Sequence, residues 1–461
     1  MSFPEHVFRQ YDIRGKVGPE DINPDFVRQV AAAYATRFAG KPNATLGVGR
    51  DLRATSTELS QAAVEGILST GVNVVDVGQT PTPVLYFAIG HLGLDGGLGI
   101  TASHRPADEN GIKVRMGDGP FYGDDLQELK REVMAGEFAR GSGKCEKLDV
   151  YPEYFRLASQ QLSIARPMKV VLDVGNGCGT LTAPRLLRDL GCELTVLFEE
   201  PDGTFPGRGP DPTKEGAMEP LAAKVREIGA ELGIAIDADG DRVAVVDHAG
   251  EYVQPDQYMI PICRELLAAG PITVVSEVRC SQSIVDDVES RGGSMYLEAC
   301  GYPFILAGMA EHGAEIGFET TGHCYFRNPH FKFDDATFGA GKLLGALSRS
   351  DRSLREIVDD APRYYPADPP RYACPNDLKF QVVEELGQSY GPGVRLIRTD
   401  GVRAQFPEGW SVIRASNTGE ELVSRWEGNS PEARDRIGKD LMDRLRSVLG
   451  RHGLELREAD H

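Results

Sequence analysis

Through most of the chain, short apolar runs alternate with longer segments in which apolar residues recur at helical spacing. Three stretches share one plan, in which a β-rich run ends in small or charged residues, a helix-like segment follows, and a second β-rich run comes next. These stretches are TLGVGRDLRATSTELSQAAVEGILSTGVNVVDVG (45–78), KVVLDVGNGCGTLTAPRLLRDLGCELTVLFE (169–199) and ITVVSEVRCSQSIVDDVESRGGSMYLEA (272–299). The repetition predicts one βαβ-type unit used three times, with ligand groups at the carboxyl ends of its strands.

The last hundred or so residues follow a different pattern. A proline-rich linker, APRYYPADPPRYACPND (361–377), precedes a helix-like segment at 376–390. Three β-like runs follow (VRLIRT, VRAQFP and WSVIRAS), the first two joined by a turn at 399–401, and then ELVSRWE precedes an amphipathic helix at 431–449. This order predicts an antiparallel sheet with helices on one side.

These patterns predict an α/β protein of three related α/β domains plus a smaller C-terminal α+β domain. A chain of 461 residues is long enough for three or four domains. The linker-like stretch ARGSGKCEKLD (139–149), the turn at 249–250 and the proline-rich run mark the boundaries. We expect domains at 1–147, 148–251, 252–361 and 362–461.

Composition and charge narrow the classes of function. Apolar residues make up 41% and charged residues 26% of the chain, as in soluble globular proteins. The net charge of −19 argues against nucleic acid or an anionic membrane as the main partner. There is no membrane-length apolar run, and MSFPEHVFRQ at the start lacks the apolar stretch of a secretory signal, so we expect a cytoplasmic enzyme. The eight cysteines are scattered without a C-x-x-C pair, which indicates reduced thiols.

The stretch GITASHRPADENGIKV (99–114) places Ser103 at a turn just past a predicted strand. A serine at a turn, near cations and a metal, suits the acceptance and donation of a phosphoryl group, whereas capping a helix or closing a turn is the structural alternative. Neighbouring residues on an extended backbone point in opposite directions, so Ser103 and His104 are not expected to form a hydrolase pair. The chain also has no G-x-S-x-G elbow, so acyl transfer is not expected.

A second stretch, GIAIDADGDRVAVVD (233–247), places Asp237, Asp239 and Asp241 directly after an apolar strand. On an extended backbone their carboxylates would all point to one side and suit a divalent cation, with Mg²⁺ favoured if phosphate supplies another ligand. An EF-hand would need glycine and glutamate where Arg242 and His248 stand, so the calcium-loop alternative fails. A solvated acidic turn is the remaining alternative.

Two further clusters offer groups that bind sugars and phosphates. In IGFETTGHCYF (316–326), Glu319, Thr321 and His323 offer an acceptor, a hydroxyl and a switchable donor for sugar hydroxyls. An edge strand with a buried, hydrogen-bonded histidine is the alternative. In VIRASNTGEELVSRWEG (412–428), a cation, hydroxyls and backbone amides are suited to form a phosphate cradle, whereas a capped loop after a strand is the alternative. Its side chains are Arg414, Ser416, Asn417 and Thr418, while Arg425 is either a phosphate ligand or a solvated strand residue.

The chain resembles the α-D-phosphohexomutase superfamily, and most closely its phosphomannomutase/phosphoglucomutase branch. Five motifs carry the resemblance in the family's order: YDIRG (11–15), TASHRPADENGIKV (101–114), DADGDR (237–242), GFETTGH (317–323) and RASNT (414–418). The resemblance implies three α/β domains with mixed sheets and a smaller C-terminal domain around one central cleft.

The resemblance also implies a set of catalytic groups. Ser103 would be the phosphoserine, and one Mg²⁺ would be held by a phosphoserine oxygen together with Asp237, Asp239 and Asp241. Lys113 and His323 look like the proton-handling groups, and Arg14 and Arg242 would steady the phosphoryl group in transfer.

The substrate-binding groups are implied in the same way. Glu319 and Thr321 match positions that hold sugar hydroxyls. The loop for the non-reacting phosphate is similar to the segment of Arg414, Ser416, Asn417 and Thr418, and Arg279, Tyr302 and Arg425 complete the expected contacts.

The implied reaction interconverts a hexose 1-phosphate and 6-phosphate, of mannose or glucose, through a hexose 1,6-bisphosphate. The implied protein is a monomer or homodimer. The alternatives are a mutase for an amino sugar or pentose phosphate, a metal-dependent sugar phosphatase, and a non-catalytic sugar-phosphate sensor. The RASNT loop favours the hexose branch.

Several positions depart from the family's pattern and bear on the choice of sugar. Arg105 stands where asparagine is common, and CGYPF (300–304) replaces a Gly-His-Ser step, so that Tyr302 and Pro303 stand where polar contacts are expected. The usual Glu-Met-Ser core is Glu-Thr-Thr, and Arg279 replaces a lysine, which keeps the charge but changes the geometry.

Overall fold

The structure is a computed structural model that describes residues 3–117, 119–367, 369–416 and 419–459. The chain forms two compact units. The first unit comprises Met1–Gln254 with Gly322–Leu354, and the second comprises Pro255–Thr321 with Arg355–His461. The predicted boundaries of the four domains stay a prediction.

The amino-terminal part of the first unit is a mixed sheet of six strands in the order β1-β5-β4-β2-β3-β6. The β2 strand runs parallel to β3 and β4, whereas β5 runs antiparallel to β1 and β4. Helices α1 and α2 pack on the sheet, and their core includes Phe26, Val30 and Ile67. The elements are β1 (Ile13–Lys16), α1 (Pro24–Thr36), β2 (Thr45–Arg50), α2 (Ser56–Leu68), β3 (Asn73–Gln79), α3 (Thr82–Leu92), β4 (Gly96–Ile100), β5 (Glu109–Met116), α4 (Asp124–Ala135) and β6 (Cys145–Lys147), with a 3₁₀ turn at Glu5–Val7.

The next part of the first unit is a five-stranded mixed sheet in the order β11-β10-β9-β7-β8. The β7 and β9 strands run parallel, and β9 pairs antiparallel with β10, so the loop between β9 and β10 emerges at the carboxyl end of β9. The elements are α5 (Tyr151–Gln161), β7 (Lys169–Asp173), a 3₁₀ turn (Cys178–Leu181), α6 (Ala183–Asp189), β8 (Glu193–Leu197), α7 (Glu219–Ile228), β9 (Leu232–Ile236), β10 (Val243–Asp247) and β11 (Tyr252–Val253).

The third repeat of the fold lies in the second unit. Its β12 strand runs parallel to both β13 and β14. Its elements are α8 (Pro255–Leu267), β12 (Thr273–Glu277), α9 (Gln282–Ser290), β13 (Ser294–Glu298), α10 (Tyr302–His312) and β14 (Ile316–Phe318). The chain then contributes two elements to the first unit, β15 (Cys324–Phe326) and α11 (Ala336–Ser348).

The carboxyl-terminal part of the second unit is an antiparallel sheet whose path runs β16-β21-β20-β19-β18. Helices α13 and α14 contact each other and pack on the same strand, β20. Their shared core includes Val382, Ile413 and Leu445. The elements are α12 (Leu354–Asp359), β16 (Tyr365–Ala367), β17 (Tyr372–Ala373), α13 (Lys379–Gln388), β18 (Arg395–Ile397), β19 (Val402–Phe406), β20 (Gly409–Ala415), β21 (Glu421–Gly428) and α14 (Pro431–Arg451).

The hydrophobic pattern predicted most of these elements. The expectation that 139–149 and 361–377 are only linkers was wrong, because these stretches contain β6, β16 and β17, which pair with β3 and β21. Each predicted βαβ-type stretch forms a parallel strand pair, namely β2/β3, β7/β8 and β12/β13. The antiparallel sheet with helices on one side is also confirmed. Among the described residues, no helix combines the length and apolar character needed to cross a membrane.

The close packing of α1 on α2 depends on a glycine. A Cβ atom on Gly66 would lie 2.3 Å from the carbonyl oxygen of Arg28 and 3.0 Å from the Cβ atom of Ala31. Gly90, also in a helix, is exposed, and a Cβ atom there would meet no described atom within 4 Å.

We therefore predict that Gly66→Ala lowers the free energy of unfolding by about 1–3 kcal/mol, because the helices must separate. The matched variant Gly90→Ala should raise it by about 1 kcal/mol, since alanine favours the helix. Urea unfolding followed by circular dichroism measures both. Equal effects of the two substitutions would contradict the packing argument.

Candidate active site

Ser103 lies in a buried turn beyond the end of β4 and has a left-handed backbone, with φ of 51°. Its N–H donates to Thr101 Oγ1 at 2.9 Å. Its hydroxyl oxygen lies 3.1 Å from His104 Nδ1 and 3.5 Å from Asp237 Oδ2. The expectation that Ser103 and His104 point in opposite directions was wrong, because it assumed an extended backbone and the left-handed residue turns the chain sharply.

His104 is held as a neutral imidazole. The Arg242 cation, burial and the Arg14 cation together lower its pKa well below the usual value. A neutral Nδ1 can accept the hydroxyl hydrogen of Ser103, so His104 orients the serine.

Arg105, the departure in this loop, binds within the loop itself. Its guanidinium donates to both carboxylate oxygens of Glu109, each at 2.8 Å. About half of the Arg105 side chain is exposed, whereas Ser103 is buried. The positive charge of Arg105 is thus paired with Glu109.

The aspartate motif occupies a tight turn between β9 and β10. Asp237 Oδ1 accepts the N–H groups of Gly240, Asp241 and Arg242 at 3.1–3.2 Å. Gly240 has φ of 83°, a conformation that glycine adopts readily. The expected convergence of carboxylates is present, since one oxygen of each aspartate lies within 4.8 Å of the others. The extended backbone expected for this convergence was wrong, because a turn folds the carboxylates together.

Lys113, on β5, neutralises part of this cluster. Its ammonium lies 2.6 Å from Asp239 Oδ2 and 2.5 Å from Asp241 Oδ2. Burial opposes the charge of Lys113, but Asp239 and Asp241 outweigh it and raise its pKa well above the usual value. Burial likewise opposes the charge of Asp239, yet Lys113 and the hydroxyl of Thr82 hold its pKa below the usual range.

The cluster fits a divalent cation. The Oδ1 atoms of Asp239 and Asp241 are buried and have no hydrogen-bond partner among the described residues. Lys113 uses the other oxygen of each carboxylate, so these Oδ1 atoms remain available as ligands. Hard carboxylate oxygens suit Mg²⁺, and Ser103 Oγ faces the same cluster through Asp237.

Arg14, another expected catalytic residue, lies on the strand next to β5. Arg14 is on β1, opposite Gly111 of β5, and pairs with Asp12. Its Nε atom is buried and has no hydrogen-bond partner in the part of the chain that the structure describes.

His323 lies between Arg242 and Asp334. Arg242 Nε donates to His323 Nε2 at 2.8 Å, and His323 Nδ1 lies 2.7 Å from Asp334 Oδ2. Burial opposes a charge on His323, but Asp241 and Asp334 raise its pKa overall. The hydrogen bond from Arg242 occupies the Nε2 lone pair, so the ring in this arrangement is neutral and carries its hydrogen on Nδ1.

The second unit holds a separate cluster at the carboxyl end of β12. Arg279 donates to both oxygens of the buried Glu277 at 2.8 and 2.7 Å, and the Cys300 thiol donates to Glu277 at 2.7 Å. The hydroxyl of Thr320 also donates to Glu277. Burial opposes ionisation of Glu277, but Arg279 and these donors lower its pKa to about 2. The Arg279 guanidinium is therefore bound by Glu277, the last residue of β12.

The expected sugar-binding residues lie on the elements around this cluster. Tyr302 is the first residue of α10 and is partly buried. Glu319 is buried directly after β14, near enough to Arg279 to raise the pKa of that guanidinium. Thr321 follows and is partly exposed.

The expected phosphate loop follows β20. Arg414 Nε donates to Asp400 Oδ2 at 2.7 Å, and Ser416 Oγ accepts the N–H of Gly419 at 3.2 Å. The buried ammonium of Lys379 donates to the carbonyl oxygens of Ser416 and Gly419 at 2.6 and 2.9 Å. Asn417 and Thr418 lie outside the described residues.

Arg425, on β21, contacts the neighbouring part of the second unit. Its guanidinium donates to the carbonyl oxygen of Arg279 at 3.0 Å and to Glu427 at 3.3 Å. The side chain is buried, so the alternative of a solvated strand residue was wrong.

Sequence reasoning missed several residues that organise these sites, namely Thr82, Asp334, Glu277, Thr320, Asp400 and Lys379. One signal was present. The first strand of each βαβ-type unit ends in or is followed by an acid, Asp51, Asp173 or Glu277. Each of these acids is buried and pairs with an arginine, Arg53, Arg208 or Arg279 respectively.

Comparison with known proteins assigns the chain to the isomerase-class phosphotransferases. Family models for phosphoglucomutase/phosphomannomutase match the chain in order: α/β/α domain I at residues 5–140, domain II at 151–250, domain III at 254–365 and the C-terminal domain at 371–444. The chain belongs to the phosphoglucomutase/phosphomannomutase family of hexose phosphate mutases.

Relatives and solved structures agree with this assignment. The chain is 34% identical to the phosphomannomutase/phosphoglucomutase of Pseudomonas aeruginosa over 97% of each chain. It is also 34% identical to a phosphoglucomutase of Neisseria meningitidis over 94% of this chain and 95% of that protein. A crystal structure of a phosphoglucomutase/phosphomannomutase family protein from Burkholderia thailandensis superposes with a TM-score of 0.92 at 31% identity, covering 99% of this chain and 100% of the other.

The charge state of Asp237 leads to a prediction about metal binding. Burial, with the charges of Asp241 and Asp239, raises the pKa of Asp237 well above its usual value. A metal ion requires the ionised carboxylate, so Mg²⁺ binding should release a proton. The affinity for Mg²⁺ should therefore rise with pH and level off above the pKa of Asp237. Calorimetry in two buffers of different ionisation enthalpy measures both the affinity and the proton release.

Asp239→Asn should weaken this binding by at least about tenfold, because it removes a charged ligand. The control Asp125→Asn, at an exposed position of α4, should bind as the wild type does. A pH-independent affinity without proton release, or wild-type binding by Asp239→Asn, would contradict the assignment.

Proposed function

We propose that the chain interconverts the 1-phosphate and 6-phosphate of glucose or mannose through a phosphorylated Ser103. The observation that carries the proposal is the position of Ser103, a buried nucleophile beside three clustered carboxylates and within the field of Lys113, Arg14 and Arg242. The names of the relatives supply the two hexoses.

In the proposed cycle, phospho-Ser103 gives its phosphoryl group to the free C1 or C6 hydroxyl of the bound hexose phosphate. The bond from Ser103 Oγ to phosphorus breaks, a bond from the sugar oxygen to phosphorus forms, and the hydroxyl proton passes to a base. The resulting hexose 1,6-bisphosphate turns over and returns its other phosphoryl group to Ser103. The net result moves the phosphate between C1 and C6.

The proton-handling groups in this proposal are Lys113 and His323. His323 Nδ1 lies 2.7 Å from Asp334 Oδ2, and a movement of Arg242 away from Nε2 would leave Nε2 ready to take a proton. Arg14 and Arg242 would neutralise the charge that develops on the transferring group. His104 orients the Ser103 hydroxyl between transfers.

One Mg²⁺ per chain would be held by Asp237, Asp239, Asp241 and an oxygen on Ser103. When bound, it supplies positive charge that neutralises the transferring phosphoryl group. The two available Oδ1 atoms support this ligand set.

In the second unit, Glu319 and Thr321 would hold sugar hydroxyls, and Arg414, Ser416, Asn417 and Thr418 would hold the non-reacting phosphate. Arg279, Tyr302 and Arg425 would complete the substrate contacts. The hold of Lys379 on two carbonyl oxygens of the loop supports a fixed anion site, because carbonyl groups turned toward a cation cannot oppose the phosphate.

A cytoplasmic location, a monomeric or homodimeric state and the exclusion of nucleic acid as a partner stay predictions.

The first test asks whether Ser103 carries phosphate. Incubation with glucose 1,6-bisphosphate and Mg²⁺ should add the mass of one phosphoryl group, located at Ser103 by peptide mass spectrometry. Ser103→Ala should remain unmodified and lose mutase activity, whereas Ser142→Ala, at an exposed position, should behave as the wild type. Mutase activity or steady phosphate release that survives Ser103→Ala would overturn the proposal in favour of a phosphatase.

The second test identifies the sugar. The protein is assayed with the 1-phosphates of glucose, mannose, N-acetylglucosamine and ribose, each with Mg²⁺ and a trace of the matching bisphosphate. The kcat/KM for migration of the phosphate should be highest with glucose or mannose 1-phosphate. Migration confined to the amino sugar or the pentose would reject the hexose assignment. A phosphorylated Ser103 that turns over none of these sugars would reject the proposed substrates altogether.

A further inference from the structure

The backbone at Ser103 is strained and must be held by its surroundings. Ser103 has φ of 51°, a left-handed conformation that crowds the Cβ atom of any residue with a side chain. The residue lies in the loop between β4 and β5, where Pro106 and three other residues turn their carbonyl oxygens toward a common point.

That common point is the guanidinium of Arg53. Arg53 Nη2 donates to the carbonyl oxygens of Ser103 and Arg105, both at 2.7 Å. Arg53 Nη1 donates to the carbonyl oxygens of Pro106 and Glu109, at 2.5 and 3.1 Å. The Arg53 side chain is 0% exposed. A single buried cation therefore binds both ends and the middle of the loop that carries Ser103.

The position of Arg53 is itself fixed by hydrogen bonds to Asp51. Asp51 accepts the Nε–H of Arg53 through Oδ2 and the backbone N–H of Arg53 through Oδ1, both at 3.0 Å. Ser56 donates to Asp51 Oδ1 at 2.5 Å. The ring of Phe205 lies 5.1 Å from the Arg53 guanidinium carbon, within cation–π range. The guanidinium thus has five side-chain hydrogen bonds in one planar arrangement.

No other charge of the loop takes this role. Arg105 is half exposed and is bound to the side chain of Glu109. Lys113 is bound to the aspartates. A lysine in place of Arg53 has three donors on one atom and cannot reproduce the planar set.

We propose that Arg53 is a positioning residue for phosphoryl transfer: it fixes the left-handed turn at Ser103 and so sets the direction from which the serine gives and receives the phosphoryl group. The inference rests on the proposed function of Ser103. A displacement of about 1 Å costs up to roughly a hundredfold in rate, so the loop must be held more tightly than stability alone requires.

The test compares Arg53→Lys with the wild type and with Arg264→Lys. Arg264 is a largely buried arginine of the second unit that pairs with Asp287 and Asp360 and has no place in the proposed machinery. Each protein is phosphorylated with glucose 1,6-bisphosphate, the phosphorylated fraction is measured by intact mass, and transfer to glucose 1-phosphate is followed in a single turnover. Normalising to the phosphorylated fraction removes the effect of unfolded protein.

Arg53→Lys should slow transfer by about 10- to 100-fold and change KM by less than about threefold, since substrate binding does not use Arg53. Hydrogen exchange at residues 102–109 should become faster, while exchange in β9 stays unchanged. Arg264→Lys should transfer within about twofold of the wild type. A purely structural role predicts a lower Tm with a wild-type transfer rate, and that result overturns the proposal.

Where Arg53→Lys does not fold, Asp51→Asn replaces it, because asparagine keeps an acceptor for Arg53 but removes the opposing charge. It should slow transfer in the same direction by at least about threefold, and a wild-type rate overturns the proposal. If the wild type takes no phosphoryl group at Ser103, the proposed function fails first. If the wild type is phosphorylated and both variants transfer normally, the inference about Arg53 alone fails.

Discussion

Three buried carboxylates within 4.8 Å of one another are costly unless cations lie beside them, and the first unit is arranged around that constraint. Lys113 reaches the cluster from β5 and contacts two of the aspartates. The pKa of Asp237 is raised because burial and its neighbours disfavour a third negative charge. Repulsion among the three carboxylates would destabilise the fold if no positive charge lay nearby. The same repulsion makes this turn suited to bind a divalent cation.

A second constraint concerns the backbone of the active loops. Arg53 binds four carbonyl oxygens of the serine loop, and Arg208 binds the carbonyl oxygen of Ile236, directly before the aspartate turn. Lys379 binds two carbonyl oxygens of the loop after β20. In each case a buried cation replaces the regular hydrogen bonds that a loop lacks. Residues that touch no substrate thereby set the shape of the residues expected to touch it.

The candidate site was partly predictable from the sequence, and the errors have a common cause. Ser103 and the aspartates were found because their motifs stand at the ends of strands. The contact of Ser103 with His104 was missed because it depends on one backbone angle, which residue types do not specify. Asp334 was missed because no motif marks it; it stands next to Asp335, which caps α11 by accepting the N–H of Phe338. Its neighbour Asp334 is left to bind His323.

By itself, the sequence determined the order and type of the elements, because the spacing of apolar residues follows the period of the helix or strand that buries them. It also determined the family, because its motifs stand in a fixed order. The tertiary structure alone decided which charges meet. Lys113 lies more than a hundred residues from the aspartates that it neutralises, and Arg53 lies about fifty residues from the serine loop that it holds. Such contacts form because the sheet brings the ends of particular strands side by side. A local pattern of residues does not specify which strand ends will be neighbours.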